Sequence, residues 1–180
     1  PDHSGGLGRI SEIYEAPIWA SEETHAAIPS STCDEVLSEG DSFVLEGPSG
    51  NVHWEVIESP GHCPGQICLV SDAGVISGDN CSTVGTILVA SGEGDMGAYI
   101  SGLERLRALK PKVLFPGHGP LVANPERLLT HYIEHRKARH QKVLEAVRAG
   151  NSDIPSIASA AYSDSPGAHP LLARDQALSH

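Results

Sequence analysis

Apolar and polar residues alternate along much of the first 120 positions, and this pattern predicts short β-strands. The segments DSFVLEG (41–47) and VHWEVIES (52–59) alternate on either side of PSGN, which predicts a β-hairpin. Further strands are predicted for APIWA (16–20), for the two halves of GQICLVSDAGVISGDN (65–80) and for KVLF (112–115). The intervening SEETHAAIPSSTCDEV (21–36) is rich in polar residues and is interpreted as a polar surface segment.

Apolar residues three and four positions apart predict the helices. One short helix is expected from Leu7 to Glu15, and another within GDMGAYISGLERLRALK (94–110). The clearest helix begins after Asn124, a suitable N-cap, carries Pro125 at its first position, and ends at Gly150. Its apolar stripe is predicted to comprise Leu129, Tyr132, Ile133, Val143, Leu144 and Val147. Two further short helices are expected in residues 153–163 and 169–180.

Strands followed by a helix, a strand and a long helix predict an α/β layered fold. The length of 180 residues suits one domain, or one domain with part of another. No stretch of about 18 apolar residues occurs, so no membrane-spanning segment and no membrane partner are expected. The four cysteines form no C-x-x-C pair, which favours a reducing, cytoplasmic setting over a secreted disulfide scaffold.

Charge is distributed unevenly along the chain. Residues 1–104 contain 17 acidic residues and one basic residue, whereas residues 105–148 contain ten basic and three acidic residues. A basic segment of this kind suits an anionic substrate, and Arg136 and Lys137 are candidate phosphate contacts on the long helix. The alternative interpretation is a solvated helix face that binds no ligand.

Three histidines lie in turn-rich segments: His3 in PDHSGG, His62 in SPGHCPG and His118 in FPGHGP. Asp79, in VISGDN, ends a predicted strand. Imidazole nitrogens and carboxylate oxygens suit zinc or iron, and glycine-rich loops at one sheet edge could hold such ligands together. The four residues therefore predict a metal site. Cys63 and Cys81, close to His62 and Asp79, are either additional ligands or buried bystanders.

These segments, taken in order, resemble the motifs of the metallo-β-lactamase superfamily, which includes glyoxalase II. PDHSGG is similar to the end of the motif H-x-H-x-D-H, and the segments around His62, Asp79 and His118 are similar to the later ligand loops. The resemblance implies an αββα sandwich, of which residues 1–123 would form the C-terminal part. Residues 124–180 resemble the β-lactamase-like protein 2 branch, where a long helix leads into a winged-helix-like segment.

The resemblance also implies a role for each ligand. Asp2, His3 and His118 would hold one metal, His62 and the two H-x-H histidines the other, and Asp79 would bridge both. A metal-bound hydroxide would then be the nucleophile, and Asp2 would be a catalytic residue that orients the water or handles its proton. Zinc is expected, and iron or manganese would also suit these ligands.

The H-x-H pair would lie immediately before Pro1. We therefore expect the sequence to be part of a longer protein, truncated at both ends. We also expect the 180-residue chain by itself to bind at most one metal well.

The implied function is that of a metal-dependent hydrolase. Its substrate would be a small-molecule thioester or ester, or a phosphodiester such as RNA; β-lactamase activity is disfavoured. The alternative is a non-catalytic nucleic-acid-binding or interaction protein that keeps the same fold.

Overall fold

The computed structural model describes residues 3–28 and 33–180. Six helices and seven strands occur in the described residues. In chain order they are α1 (Leu7–Tyr14), β1 (Trp19–Ala20), α2 (Glu22–Ala27), β2 (Glu35–Val36), β3 (Ser42–Leu45), β4 (Val52–Glu58), β5 (Ile67–Ser71), β6 (Gly74–Ser82), α3 (Met96–Ala108), β7 (Leu114–His118), α4 (Pro125–Arg148), α5 (Ile154–Ala161) and α6 (Pro170–Ser179).

The main sheet has five strands in the order β3-β4-β5-β6-β7. Neighbouring strands are antiparallel except β6 and β7, which are parallel because α3 carries the chain back across the sheet between them. As a result β6 and β7 end at the same sheet edge. The loop between β4 and β5 (59–66) lies at this edge as well, because Glu58 pairs with Ile67 there.

The α/β layered fold predicted from the sequence is confirmed, and so are most of its elements. The β3–β4 hairpin forms with Phe43 opposite Trp54, and the strands and helices predicted after it lie in their expected segments. The segment 21–36 differs from its interpretation as a polar surface stretch. It contains α2 and also β2, which pairs in parallel with β1 of the preceding segment. Ser21 caps α2 by accepting a hydrogen bond from Thr24 N. The helix was not predicted because its six residues are too few to show an apolar period.

The main apolar core lies between one face of this sheet and helices α3 and α4. Sheet residues Ile57, Cys68, Val75 and Leu114 contribute to it, together with residues of α3 and α4 that include Tyr99, Leu103, Leu106, Leu129 and Ile133. The opposite face is less completely covered by the described residues, since Ile76 is 41% exposed and Phe115 is 38% exposed. The sheet edge that carries the predicted ligands is therefore anchored from the α3–α4 side.

The long helix α4 begins and ends as predicted, but its buried stripe differs from the expected one. Asn124 accepts a hydrogen bond from Arg127 N, and Pro125 occupies the first turn. Val147, expected in the stripe, is 49% exposed, whereas Arg136 and Arg139 are buried within it. The stripe continues through these arginines into a second apolar cluster, formed by α4, α5 and α6.

Residues 124–180 form α4, α5 and α6, and the structure describes all of them. The winged-helix-like character of this part and the division of the chain after residue 123 remain predictions. None of the helices in residues 3–28 and 33–180 has both the length and the apolar character needed to cross a membrane.

Candidate metal centre

The described ligand candidates come from four separate elements that meet at one sheet edge. His118 is the last residue of β7, and Asp79 lies in β6 beside it. His62 comes from the β4–β5 loop, and His3 from the turn before α1. Asp2, predicted as a ligand and as the catalytic residue, lies outside the described residues.

The imidazoles of these three histidines converge on one oxygen of Asp79. Its Oδ2 atom lies 3.1 Å from His3 Nε2, 3.5 Å from His62 Nε2 and 3.6 Å from His118 Nε2. His3 Nε2 and His118 Nε2 are 3.2 Å apart. Ligand atoms of His3, Asp79 and His118 all lie within 4.8 Å of one another, which is the spacing needed to share one ion.

The second oxygen of Asp79 shows that this cluster suits a metal. Asp79 is only 7% exposed, and its Oδ1 atom is buried with no hydrogen-bond partner among the described residues. A buried carboxylate oxygen without a partner is costly, and a bound cation would satisfy it. Nitrogen and oxygen donors together suit zinc, iron or manganese. The residues present therefore fit a metal ion.

Two glycines allow the chain to approach Asp79 closely. Gly78 has a φ of 49°, in the left-handed region, and turns β6 immediately before the aspartate. Gly117 lies against the cluster itself, because a Cβ atom at this position would stand 2.5 Å from Asp79 Oδ1 and 2.9 Å from His3 Cε1. The Pro-Gly-His sequence at 116–118 thus provides both a ligand and the space beside it.

His62 is oriented by a backbone carbonyl. Its Nδ1 atom lies 2.7 Å from the carbonyl oxygen of Leu88, in the loop between β6 and α3. Because a carbonyl can only accept, the proton must be on Nδ1 for this hydrogen bond to form. That tautomer leaves a lone pair on Nε2, on the side of the ligand cluster, where it could bind an ion. A hydrogen bond of this kind is the usual support of a metal-binding histidine.

Two tyrosines anchor the end of β6 from the helices. The Tyr99 hydroxyl of α3 donates to the carbonyl of Asn80 over 2.7 Å, and the Tyr132 hydroxyl of α4 donates to that of Ser82 over 3.1 Å. Burial raises the pKa of both Tyr99 and Tyr132, so they remain protonated donors. The apolar periodicity indicated that both side chains are buried, but gave no sign of these hydrogen bonds.

A cavity of about 590 Å³ lies beside the cluster. His3, His62 and Asp79 line one part of it, while the other walls are mainly apolar and include Ala27, Ile28, Pro64 and Ile67. Glu23 and Glu93 are the other charged residues of the described lining, which contains neither lysine nor arginine. The cavity thus combines a metal-ligand cluster with apolar walls and acidic margins.

A family model described as the metallo-β-lactamase superfamily matches residues 1–118 of this chain. The chain belongs to the metallo-β-lactamase superfamily. It is 29% identical over 178 residues to a β-lactamase-like protein 2 homolog of Drosophila melanogaster, a match that covers 92% of this chain and 58% of the relative. It is also 23% identical over 149 residues to an atrochrysone carboxyl ACP thioesterase of Aspergillus fumigatus, covering 82% of this chain and 44% of the relative. The chain spans about half the length of the curated relatives it matches.

Solved structures of the superfamily show the same fold. A metallo-β-lactamase family protein from Thermus thermophilus superimposes with a TM-score of 0.63 at 19% identity, covering 81% of this chain and 47% of the other. The protein TTHA1623, solved in a di-iron-bound form, gives a TM-score of 0.50 at 25% identity and covers 74% of this chain and 69% of the other.

Neither Cys63 nor Cys81 belongs to the group of His3, Asp79 and His118, although Cys63 lines the cavity beside that group. Burial raises the pKa of the Cys63 thiol, and the charge of Asp79 raises it further. Burial likewise raises the pKa of Cys81, which is fully buried in the main core with Ser77 Oγ 3.6 Å from its sulfur. Neither sulfur is among the ligand atoms that lie within 4.8 Å of one another, so the position of the two thiols favours the bystander interpretation.

The basic residues predicted as phosphate contacts, Arg136 and Lys137, do not line the cavity beside the ligand cluster. Arg136 is 4% exposed and donates to the carbonyl of Ile87, so its expected role as a substrate contact does not fit its position. Lys137 is exposed but lies 2.5 Å from Glu104 Oε1. Arg139 and Lys142 both pair with Asp164. Packing and ion pairs therefore occupy most of the basic residues in this part of α4.

Proposed function

We propose that this chain forms part of a metal-dependent hydrolase that acts on a thioester or ester. The observation that supports this most directly is the convergence of three imidazoles on Asp79 Oδ2, with Asp79 Oδ1 buried and unpaired among the described residues. A metal bound there would polarise the carbonyl of the substrate and lower the pKa of water. The superfamily and its thioesterase-named members agree with this proposal.

The protein residues have separate tasks in this proposal. His3, Asp79 and His118 would hold one ion, and His62 offers a third imidazole nitrogen on the side of the β4–β5 loop. The Leu88 carbonyl keeps the His62 lone pair directed inward. Ala27, Ile28 and Ile67 offer an apolar surface to the acyl part of a substrate, and their contact with it would exclude water from the scissile bond.

Charge favours an ester or thioester over RNA. Glu23 and Glu93 line the cavity and would repel a phosphodiester chain, and the lining offers no arginine or lysine to offset them. The basic residues of α4 that would otherwise attract a polyanion are buried or ion-paired, as Arg136 and Lys137 show. We therefore propose an acyl substrate, and the assay described below tests RNA as the alternative substrate.

The metal proposed is zinc, with iron and manganese as alternatives. Three imidazoles with one carboxylate suit all three ions, since zinc and iron both accept imidazole and carboxylate ligands. The related protein solved in a di-iron-bound form keeps iron in consideration. Metal analysis of the purified full-length protein, followed by reconstitution of the metal-free protein with each ion separately, would assign the metal.

Substitution of Asp79 by asparagine tests the hydrolase proposal. The full-length protein would be assayed with a glutathione thioester, an RNA oligonucleotide and a cephalosporin. Thioester hydrolysis is expected, and Asp79→Asn should reduce it by about 100-fold or more, because a metal contributes several kcal/mol to the transition state. Asp72→Asn, in the exposed turn between β5 and β6, is the matched control and should keep wild-type activity.

Each of the other outcomes would contradict part of the proposal. Hydrolysis of RNA without hydrolysis of the thioester would contradict the substrate class while leaving the metal site intact. Activity that survives Asp79→Asn unchanged would contradict the site. If none of the three substrates is turned over but RNA is bound, the non-catalytic alternative would replace the hydrolase.

A further inference from the structure

The loop between β6 and α3 is buried on either side of Leu88, and its backbone binds His62. Ile87 is 4% exposed and Val89 is fully buried, although neither belongs to a helix or strand. The carbonyl between them, that of Leu88, accepts the hydrogen bond from His62 Nδ1. This carbonyl therefore sets the direction of His62, and whatever holds it acts indirectly on the ligand cluster.

The side chain of Gln176, in α6, holds this part of the loop from the opposite side. Its Nε2 atom donates to the Val89 carbonyl over 2.8 Å, and its Oε1 atom accepts from Val89 N over 3.4 Å. Gln176 is only 6% exposed and is separated from Val89 by 87 positions of sequence. Through these two hydrogen bonds, one amide side chain pairs with the N–H and the carbonyl of Val89 as the backbone of a neighbouring strand would.

Planarity of the peptide bond connects Gln176 to His62. The Leu88 carbonyl and the Val89 N–H belong to the same peptide group, so they lie in one plane and point in opposite directions. One end of this group meets His62 Nδ1, and the other end meets Gln176 Oε1. Rotation of the peptide plane would break both hydrogen bonds together. The carbonyl is thus held by a residue that does not itself touch His62.

Arg136 supports the same arrangement from α4. Its Nη1 atom donates to Gln176 Oε1 over 3.4 Å, and its Nη2 atom donates to the Ile87 carbonyl. The peptide groups on both sides of Leu88 are therefore held by buried side chains of the C-terminal helices. Asp175 makes a more peripheral contact, because it accepts from Ser91 Oγ over 2.7 Å and does not reach the peptide between Leu88 and Val89.

We propose that Gln176 is a positioning residue for the metal centre, acting through the peptide group between Leu88 and Val89 on the tautomer and direction of His62. The proposal rests on the proposed function only in treating His62 as a metal ligand. It gives α6 a specific task, namely to keep the lone pair of His62 Nε2 available to an ion in the ligand cluster. The C-terminal helices and the ligand cluster are then coupled through one planar group.

The substitution Gln176→Met tests this proposal, because methionine has a similar volume and cannot make the two hydrogen bonds. In the metal-free full-length protein at pH 8, long-range ¹H–¹⁵N spectra should show wild-type His62 as the Nδ1–H tautomer. Gln176→Met should show a mixture of the two tautomers. Its metal affinity, measured by competition with a chelator, should fall about 10- to 100-fold, as is usual for lost support of a ligand.

Two further variants separate positioning from general stability. Asp175→Asn lies next to Gln176 in α6 and should keep both the tautomer and the affinity of the wild type. Gln176→Glu retains an oxygen that accepts from Val89 N but loses the donor to the Val89 carbonyl, and should keep the Nδ1–H tautomer to a greater extent than Gln176→Met. Urea denaturation of each variant would show whether α6 stays folded, and Gln176→Glu provides the comparison if the methionine variant does not fold.

Several results would overturn the proposal. Wild-type His62 as the Nε2–H tautomer would contradict the geometry directly. An unchanged tautomer and affinity in a folded Gln176→Met variant would show that Gln176 has no positioning role. An equal loss in Asp175→Asn would indicate general detachment of α6, and an equal loss in Gln176→Glu would show that the acceptor oxygen is not the cause. The tautomer is read without metal or substrate, so failure of the hydrolase proposal would not change this result.

Discussion

Gly117 occupies a position where even one additional carbon has no room. It precedes His118 in β7, and a Cβ atom there would lie 2.5 Å from Asp79 Oδ1 and 2.9 Å from His3 Cε1. Both neighbours are candidate ligands rather than flexible surface side chains. A substitution at this position must therefore displace a ligand.

We predict that Gly117→Ala lowers metal affinity by about tenfold or more, because displaced ligands bind less well even where the fold persists. A chelator competition assay would measure the affinity, and urea denaturation would measure the free energy of unfolding. Gly167→Ala is the control, since a Cβ atom there has nothing within 4 Å. Wild-type affinity in Gly117→Ala would show that the cluster tolerates the shift.

Arg136 is a basic residue that burial makes an internal contact rather than a ligand-binding group. Its guanidinium donates to the Ile87 carbonyl and lies 5.4 Å from the centroid of the Tyr99 ring. Arg139 is similar, donating to the Ala161 carbonyl and lying 4.2 Å from the Tyr162 ring centroid. Carbonyls and aromatic faces compensate for the lost hydration of both cations. These arginines therefore serve as internal connections between helices and loops.

At the scale of elements, α3 is joined to the sheet by an ion pair as well as by the core. Arg105 Nη1 donates to Glu39 Oε2 over 3.1 Å, and its Nη2 atom pairs with Glu39 Oε1. The same guanidinium reaches the carbonyl of Glu58, the last residue of β4. The hydrogen bond from Arg105 is the main cause that lowers the pKa of Glu39. Glu39 therefore favours the folded state in its ionised form.

We predict that Glu39→Gln destabilises the protein at pH 7 by at most about 1 kcal/mol, because exposed ion pairs are screened by solvent. The pKa of Glu39 is lowered in the folded state, so its contribution is complete above the unfolded value of about 4.3 and is lost as the pH falls through the folded value. The difference between the urea midpoints of the two proteins should thus shrink as the pH falls below about 4.3 and vanish below the lowered pKa of Glu39 in the folded state. Glu46→Gln, at an exposed position, is the control. A difference that does not shrink as the pH falls below about 4.3 would contradict the ionic origin.

At the scale of the whole molecule, α4 connects two apolar clusters of different composition. The main cluster contains large side chains such as Leu103 and Leu106, which are fully buried. The second cluster, between α4, α5 and α6, is built mainly of alanines together with Val143 and Ile157. Smaller side chains bury less apolar surface per residue, so the second cluster contributes less to stability.

We predict that α5 and α6 open more readily than α3. In native-state hydrogen exchange of the full-length protein, amides of α5 should exchange with a lower free energy of opening than those around Leu103 in α3. Ile157→Ala should widen this difference by removing one of the few large side chains of the second cluster, whereas Leu103→Ala should lower both values through global unfolding. Equal protection of α3 and α5 would show that the two clusters unfold as one unit.

Local patterns predicted the elements of this fold well, and the exceptions have physical causes. The hairpin, α3 and α4 were predictable because alternation, helical spacing and capping residues act within a few positions. The helix α2 was missed, since six residues are too few for a period and only the Ser21 cap indicated it. The arginines at 136 and 139 follow the helical period, but their charge favoured the opposite interpretation.

The sequence by itself determined which residues are candidate ligands, because His3, His62, Asp79 and His118 lie in glycine-rich turns or at strand ends that can be recognised along the chain. Only the tertiary structure decided that these imidazoles meet at Asp79 Oδ2, with Oδ1 buried and unpaired among the described residues. It also decided that Gln176 holds the peptide beside His62. Hydrogen bonds between residues 87 positions apart depend on how a helix packs on a loop. Such packing produces no periodic pattern in the sequence from which it could be predicted.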